Sequence, residues 1–320
     1  MNLSKPVHIK KRRRMTLDDI QLTLLSLPTF IWYIAFCYLP MFGIVIAFQS
    51  YKVAPGKGFV YSLFANSKWV GLKNFKFLFK LSEWKNVFGT TIGYNFLFIV
   101  LGIIVPVTLA LLISQMYSKR AAKVFQTAMF FPHFISWVVV SYFVYAFLAT
   151  DRGLFNNLIM QMGGNKIMWY QEPKYWPFIL TFMNLWKGIG YSMVVYLAAI
   201  SGMDQEMYEA ALIDGATKFQ QIKYITIPFL RPIISIMFIL AMGRIFNSDF
   251  GLFYRVPRNS DSLVSVTQTI DVFIYKSLTD AGSNLNYSSA ASLLQSVLGC
   301  ITIIIANLVV KKIDPESGLF

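Results

Sequence analysis

Six predominantly apolar runs dominate the chain, at roughly 22 to 48, 90 to 113, 124 to 148, 176 to 200, 229 to 248 and 290 to 310. About 20 apolar residues carry a helix across the hydrocarbon core of a bilayer, whereas barrel strands read as alternating segments of about ten. A chain in lipid must satisfy its own backbone hydrogen bonds, and runs of this length do so as helices. The pattern therefore predicts an all-α, polytopic membrane protein with about six transmembrane helices. It has a basic tail over 1–21, a membrane domain over 22–312 and a short tail over 313–320. One polar interval, 203–232, stands out between the fourth and fifth runs.

Composition agrees with a membrane protein, since 56% of the 320 residues are hydrophobic and only 14% are charged, too few charges for a soluble surface. The net charge of +14 lies in tail and loops, where lysine and arginine face lipid head groups, so no nucleic-acid partner is expected. The cluster Lys10 to Arg14 precedes the first run and places that end in the cytoplasm. Six crossings return the other end to the same side. The run after the cluster is too long for a signal peptide and lacks a small-residue cleavage site, so it is read as a retained span. A multi-pass protein of the cell membrane with both termini cytoplasmic follows.

The charge rule fails at one place. Loop 49–89, external in this topology, holds Lys52, Lys57, Lys68, Lys73, Lys76, Lys80 and Lys85. Within it, Phe75, Leu78, Phe79 and Leu81 alternate with Lys73, Lys76 and Lys80. That mixture suits an interfacial helix on the outer leaflet and equally a solvated loop packed on the bundle. Loops 149–175 and 249–289 carry Gly153, Gly163, Gly164, Pro173, Gly251, Pro257 and Gly282 and read as external connections.

Few side chains offer chemistry. Cys37 and Cys300 fall inside spans, and His8 and His133 are far apart, so no metal is expected. Ionisable groups within spans are costly and draw attention. Lys187 lies ~16 Å along the fourth span from Trp176 at 1.5 Å per residue, close to mid-membrane. Beside it, Asn184 and Trp186 offer an amide and a flat ring suited to a sugar path; internal pairing or a structural contact explains Lys187 equally well. Trp137, Tyr142 and Tyr145 in the third span are further aromatic candidates, and Asn247 and Asp249, with Arg244, end the fifth span at its outer mouth. Pro132 and Pro232 are expected to kink their spans.

In the polar interval, Met207 to Ile213 has helix formers, with Glu209 placed in the first turn. Gly215 ends that helix in a left-handed conformation. A second short helix through Phe219, Ile222 and Ile225 leads to Pro228 at the entrance of span five. Helix, glycine corner and helix make a compact knob, a shape that also suits a turn packed under its own bundle.

Glu209-Ala210-Ala211, then Asp214-Gly215-Ala216, then Ile225 with Ile227-Pro228 resemble the EAA loop of binding-protein-dependent ABC importer permeases, with isoleucine at 227 in place of the usual leucine. Tyr196 to Ala216 resembles the carbohydrate branch, and Ser317 to Phe320, after Ala306 and Asn307, its oligosaccharide and polysaccharide-type members. The resemblance implies one permease of a type I importer containing a second permease (a distinct chain, hence a heterodimer), two ATPase subunits and an extracytoplasmic sugar-binding protein. It implies that Glu209 to Gly215 couples to the ATPase: Glu209 anchors the contact, Gly215 sets the corner, and Phe219 and Ile222 fill an apolar groove. ATP and magnesium would be bound by the ATPase, and no cofactor by this chain. No P-loop is present, since Pro55 to Phe59 lacks both the earlier glycine and the hydroxyl residue.

The alternative is a stand-alone secondary transporter or channel for a small polar solute. Such proteins usually carry inverted repeats and broken helices at mid-membrane, and no repeat is visible here. A membrane enzyme lacks any nucleophile, base or metal constellation in this sequence.

Overall fold

A computed structural model describes residues 16–279 and 285–319. The basic cluster His8 to Arg14, Gly282 and Phe320 lie outside the described residues. The chain divides into a first unit, Met1–Val45, and a second, Ile46–Phe320.

In the first unit, α1 (Leu17–Phe48, continuing into the second unit) begins inside the segment that the sequence pattern assigns to the tail. Thr16 and Asp19 form a reciprocal capping box, the Thr16 amide donating to Asp19 Oδ2 at 2.9 Å, and Asp18 and Asp19 place negative charge at the positive end of the helix dipole. The helix widens over Ile34–Tyr38 and tightens from Leu39, next to Pro40.

The second unit opens with a short antiparallel pair, β1 (Gln49–Ser50) and β2 (Lys68–Trp69), Gln49 facing Trp69. Then α2 (Lys73–Lys80) packs on the bundle: Leu78 is fully buried, and Asn74 Nδ2 donates to the carbonyls of Ala47 and Gln49, both at 2.9 Å. The lysine-rich loop thus contains a helix, and that helix packs on the bundle, with Phe77 stacked 4.2 Å from Tyr287.

Next come α3 (Ser82–Ser114), α4 (Lys119–Phe134), α5 (Trp137–Leu148), α6 (Leu154–Gln161), α7 (Pro173–Ser201), α8 (Gln205–Ile213), α9 (Lys218–Met242), α10 (Ile270–Thr279) and α11 (Leu285–Ile313). Among the described residues, α1, α3, α7, α9 and α11 are long and apolar enough to cross a membrane; α4 and α5 make a sixth span only as a broken pair.

Two expectations need correction. The third span is not one kinked helix: α4 and α5 meet at 101°. Pro132 starts a tight turn over Phe131–Phe134, and Ser136 accepts from the Val139 amide to cap a new helix, so the chain stops and restarts. The fifth span ends at Met242, which leaves Asn247 and Asp249 in a turn rather than on a helix end. The connection 249–289 contributes to the core, with Leu252, Phe253, Val256, Leu263, Ile270, Val272 and Phe273 buried.

Small residues set the closest crossings. A Cβ at Gly190 on α7 would collide with the Met129 backbone of α4, and one at Gly299 on α11 would meet the Gly243 carbonyl at 2.8 Å. Ala110, Ile113, Met193, Tyr196, Ile200 and Leu230 form a core cluster joining α3, α7 and α9 at the end nearest the polar interval.

Candidate functional site

The knob starts two residues earlier than the sequence suggests. Asp204 caps α8 by accepting from the Glu206 amide at 3.0 Å, so Glu206 occupies the first turn and Glu209 lies one turn on. Gly215 has φ +77°. Around it the Ala216 amide donates to the Ala211 carbonyl at 2.9 Å and the Gly215 amide to that of Leu212 at 3.1 Å, the paired bonds of a Schellman stop. Close approach of Ala211 and Ala216 permits this corner.

Thr217 then opens α9 with a second capping box, its amide donating to Gln220 Oε1 at 2.7 Å. The sequence reading passed over this box, although Thr217-Lys218-Phe219-Gln220 carries its signature. Pro228 is the second residue of the α-helical stretch Ile227–Met242, as expected at the entrance of span five, and a wide turn over Ile222–Thr226 joins that stretch to Lys218–Gln221. A proline removes one backbone donor and crowds the carbonyl four residues before it, and a wider turn there relieves both problems.

The knob is clasped to the bundle by the hydroxyls of Tyr208 and Thr226, 2.8 Å apart, with Thr226 buried. Its outer face is left apolar: Ile213 is 86% exposed, Phe219 71% and Leu212 68%. Ile222 is half-buried, so Leu212 and Ile213, missed by the sequence reading, supply more of the outward face than it does. Glu209, Ala210 and Asp214 are exposed, Ala211 half-buried, and the Glu209 carboxylate makes no hydrogen bond or ion pair among the described residues.

A second group of polar side chains gathers at the α4–α5 break. Interrupting the helix frees the His133 carbonyl, and Lys187 Nζ donates to it at 2.8 Å while lying 5.4 Å from the centre of the Trp137 ring. Trp137 Nε1 donates to Asp249 Oδ2 at 2.6 Å, and Asp249 Oδ1 accepts from the amides of Gly251 at 2.8 Å and Leu252 at 3.3 Å. Three of the sequence candidates, Lys187, Trp137 and Asp249, are therefore one cluster. Asn184 is half-buried one turn before Lys187 on the same helix.

The turn carrying Asn247 is held from α3 and α11. Asn95 Nδ2 donates to the carbonyls of Ile245 at 2.8 Å and Asn247 at 2.9 Å, and Gln295 Nε2 to that of Phe246 at 2.8 Å. Asp271 on α10 accepts from the Ser248 amide at 2.6 Å. Trp186 stands apart from this group. With Phe143, Phe147, Phe178 and Phe182 it lines an apolar cavity of about 590 Å³ between α5 and α7.

Tyr142 and Tyr145 belong to a third place, farther along α5. Val138, Ser141, Tyr142, Tyr254, Arg255, Arg258 and Asn259 enclose a pocket of about 280 Å³. Beside it the Arg258 guanidinium lies 4.0 Å from the centre of the Tyr145 ring, and Tyr145 meets Tyr170 edge to face at 5.8 Å. Burial pushes the Tyr170 phenol above its ordinary pKa, with Arg258 drawing it the other way.

The family profile described as "Binding-protein-dependent transport system inner membrane component" matches residues 102–315. Protein LplB of Bacillus subtilis (strain 168) is 33% identical over 302 residues, 94% of this chain and 92% of that one. The polygalacturonan/rhamnogalacturonan transport system permease protein YteP of the same organism is 33% identical over 314 residues, 97% of this chain and 94% of that one. Among solved structures, a chain of a bacterial ABC transporter involved in the import of the acidic polysaccharide alginate aligns with TM-score 0.82 at 30% identity, over 93% of this chain and 97% of that one. A chain of a bacterial alginate ABC transporter in complex with alginate pentasaccharide-bound periplasmic protein aligns at 0.80 and 29%, over 92% and 96%.

Proposed function

The chain belongs to the family of binding-protein-dependent transport system inner membrane components, and on that premise we propose that it is one permease of an ATP-driven importer of oligosaccharides or polysaccharide-derived sugars. Its relatives support this substrate class, since their names include polygalacturonan/rhamnogalacturonan transport and alginate import. The chain is a multi-pass membrane component and no enzyme; ATP and magnesium belong to a separate ATPase. Family membership does not favour the stand-alone transporter or channel.

The partners are an ATPase pair, a second and distinct permease, and an extracytoplasmic sugar-binding protein, a partner of the kind present in the alginate complex. Both termini face the cytoplasm, where the knob meets the ATPase. The observation that carries this role is the outward apolar face of Leu212, Ile213 and Phe219 around the fixed Gly215 corner. A large apolar surface left open on a polar segment is a contact surface. Glu209, with Asp214, supplies the charged edge of the contact, Ala210, Ala211 and Ala216 allow close approach, and Ile222 and Pro228 carry the push into α9.

A rigid corner clasped to the bundle by Tyr208 and Thr226 passes ATPase closure to α9 as a rigid-body movement, the kind of motion alternating access uses. The solute path runs past Lys187, Trp137 and Asp249, with Asn184 and Asn247 beside it. Purification of the chain from its native membrane tests the assignment. Recovery with an ATPase and a second permease, and sugar uptake that stops without ATP, is the expected outcome; a lone oligomer transporting without nucleotide overturns it.

A further inference from the structure

We infer that the pocket formed by Arg255, Arg258, Tyr142 and Tyr254 binds the carboxylate of an acidic sugar unit, so that this permease takes uronate-bearing oligosaccharides. The inference rests on the sugar-import reading above and names its substrate class.

The chemistry begins with two uncompensated cations. Arg255 and Arg258 are exposed, and neither makes an ion pair among the described residues. Both border the same pocket of about 280 Å³. An arginine fork matches a carboxylate with two parallel hydrogen bonds, a fit that a neutral sugar cannot use. Tyr142, exposed on the same wall, adds an aromatic ring of the kind that suits the apolar face of a pyranose, and Tyr254, stacked on Phe250 at 4.7 Å, is a fixed part of the rim.

The cations are held in place. Arg258 and Asn259 are the described non-glycine residues with positive φ, 56° and 51°. Asparagine tolerates that region, whereas arginine enters it only when its surroundings demand it. Those surroundings are the Tyr145 ring, 4.0 Å from the Arg258 guanidinium, and the Ser260 hydroxyl, which donates to the Tyr170 carbonyl at 2.8 Å and pins the turn. Arg255 rests 5.8 Å from the centre of the Tyr254 ring. A guanidinium held over a ring, as Arg258 is over Tyr145, keeps its edge donors free for a ligand.

The pocket is also in line with the path. Trp137, Ser141 and Tyr145 follow at every fourth residue and share one face of α5, which spans ~12 Å from Trp137 to Tyr145. Lys187 lies over Trp137 at one end of this strip and Arg258 over Tyr145 at the other. Asp249, the carboxylate next to the strip, turns both oxygens to Trp137, Gly251 and Leu252. Lys187 and the committed Asp249 carboxylate therefore share the Trp137 end of the strip, while the Arg258 end carries positive charge with no carboxylate paired to it among the described residues, and it is that end which accepts an anion.

Equilibrium binding by the purified full importer, using a short oligogalacturonate and its methyl ester as probes, tests the inference. The ester keeps the sugar skeleton and removes the charge. The acid should bind more tightly than the ester and lose affinity with added salt. Arg255→Gln and Arg258→Gln should each weaken the acid about tenfold and leave the ester unchanged, with Arg258→Lys recovering part of the loss. Equal loss for both probes, or no loss for either, contradicts the pocket's assignment while leaving sugar import standing. Wild-type importer that binds neither these probes nor any neutral oligosaccharide overturns the sugar reading, and this inference with it.

Discussion

The Trp137 indole donates to the Asp249 carboxylate at 2.6 Å, joining the restarted half of the broken span to the turn that ends α9. Gly251, two residues on, lies so close to the same indole that a Cβ there would collide with it. Gly251→Ala should therefore destabilise the protein by about 1–3 kcal/mol through overpacking. Gly188→Ala, whose Cβ would meet nothing within 4 Å, should be neutral or stabilising by up to ~1 kcal/mol. Thermal unfolding of the two variants in detergent compares them directly, and equal behaviour speaks against the packing described for the turn.

The corner of the knob depends on backbone conformation alone. A Cβ at Gly215 would touch nothing, but φ is +77°. Gly215→Asn should keep most of the uptake rate. Gly215→Val should impair uptake severely, because a left-handed L-residue costs roughly 1–2 kcal/mol and β-branched residues suffer most. Uptake by proteoliposomes ranks them, and a Val variant at the wild-type rate removes the corner from the account.

Tyr208 and Thr226 should fasten the knob. Losing one hydroxyl in Tyr208→Phe leaves the buried Thr226 without that partner, at a cost of about 1–2 kcal/mol. Hydrogen exchange should then rise in α8 and the first turns of α9 before it rises elsewhere. Unchanged protection there would mean that the clasp contributes nothing.

Lys187 satisfies a carbonyl that the helix break exposes, the His133 oxygen at 2.8 Å. Lys187→Met should lower the unfolding free energy by about 1–3 kcal/mol, the cost of an unpaired polar group, whereas Asn184→Ala should leave stability within ~0.5 kcal/mol. Denaturant titration separates the two. A stable Lys187→Met chain that has lost uptake would show that Lys187 serves the solute path alone and does not support the break.

The long apolar helices were legible because a run such as Ser82–Ser114 has no other environment to suit it, and five of the six expected runs are helices of spanning length. The EAA spacing from Glu209 to Pro228 likewise identified the family before any geometry. Less legible was the break at Phe131–Ser136, since Pro132 signals a kink in isolation, and only the Ser136 cap turns it into a restart. The packing of Leu252 to Phe273 was hidden among glycines and serines that read as a loop. The arginine pocket was not legible at all: Tyr142 and Tyr145 were visible as aromatic candidates, but their partners Arg255 and Arg258 lie more than a hundred positions away. Only tertiary structure brings them together.

The most direct test of the central claim uses Ile213→Cys in a chain whose own exposed cysteines, Cys37 and Cys300, are replaced by serine. A short thiol crosslinker on the assembled importer should join that position to the ATPase subunit, with a yield that changes when ATP binds, while Phe178→Cys, on an outward apolar face of α7, should give no such product. Labelling of Ile213→Cys by a membrane-impermeant maleimide added outside the cell, with no ATPase crosslink, would contradict the account.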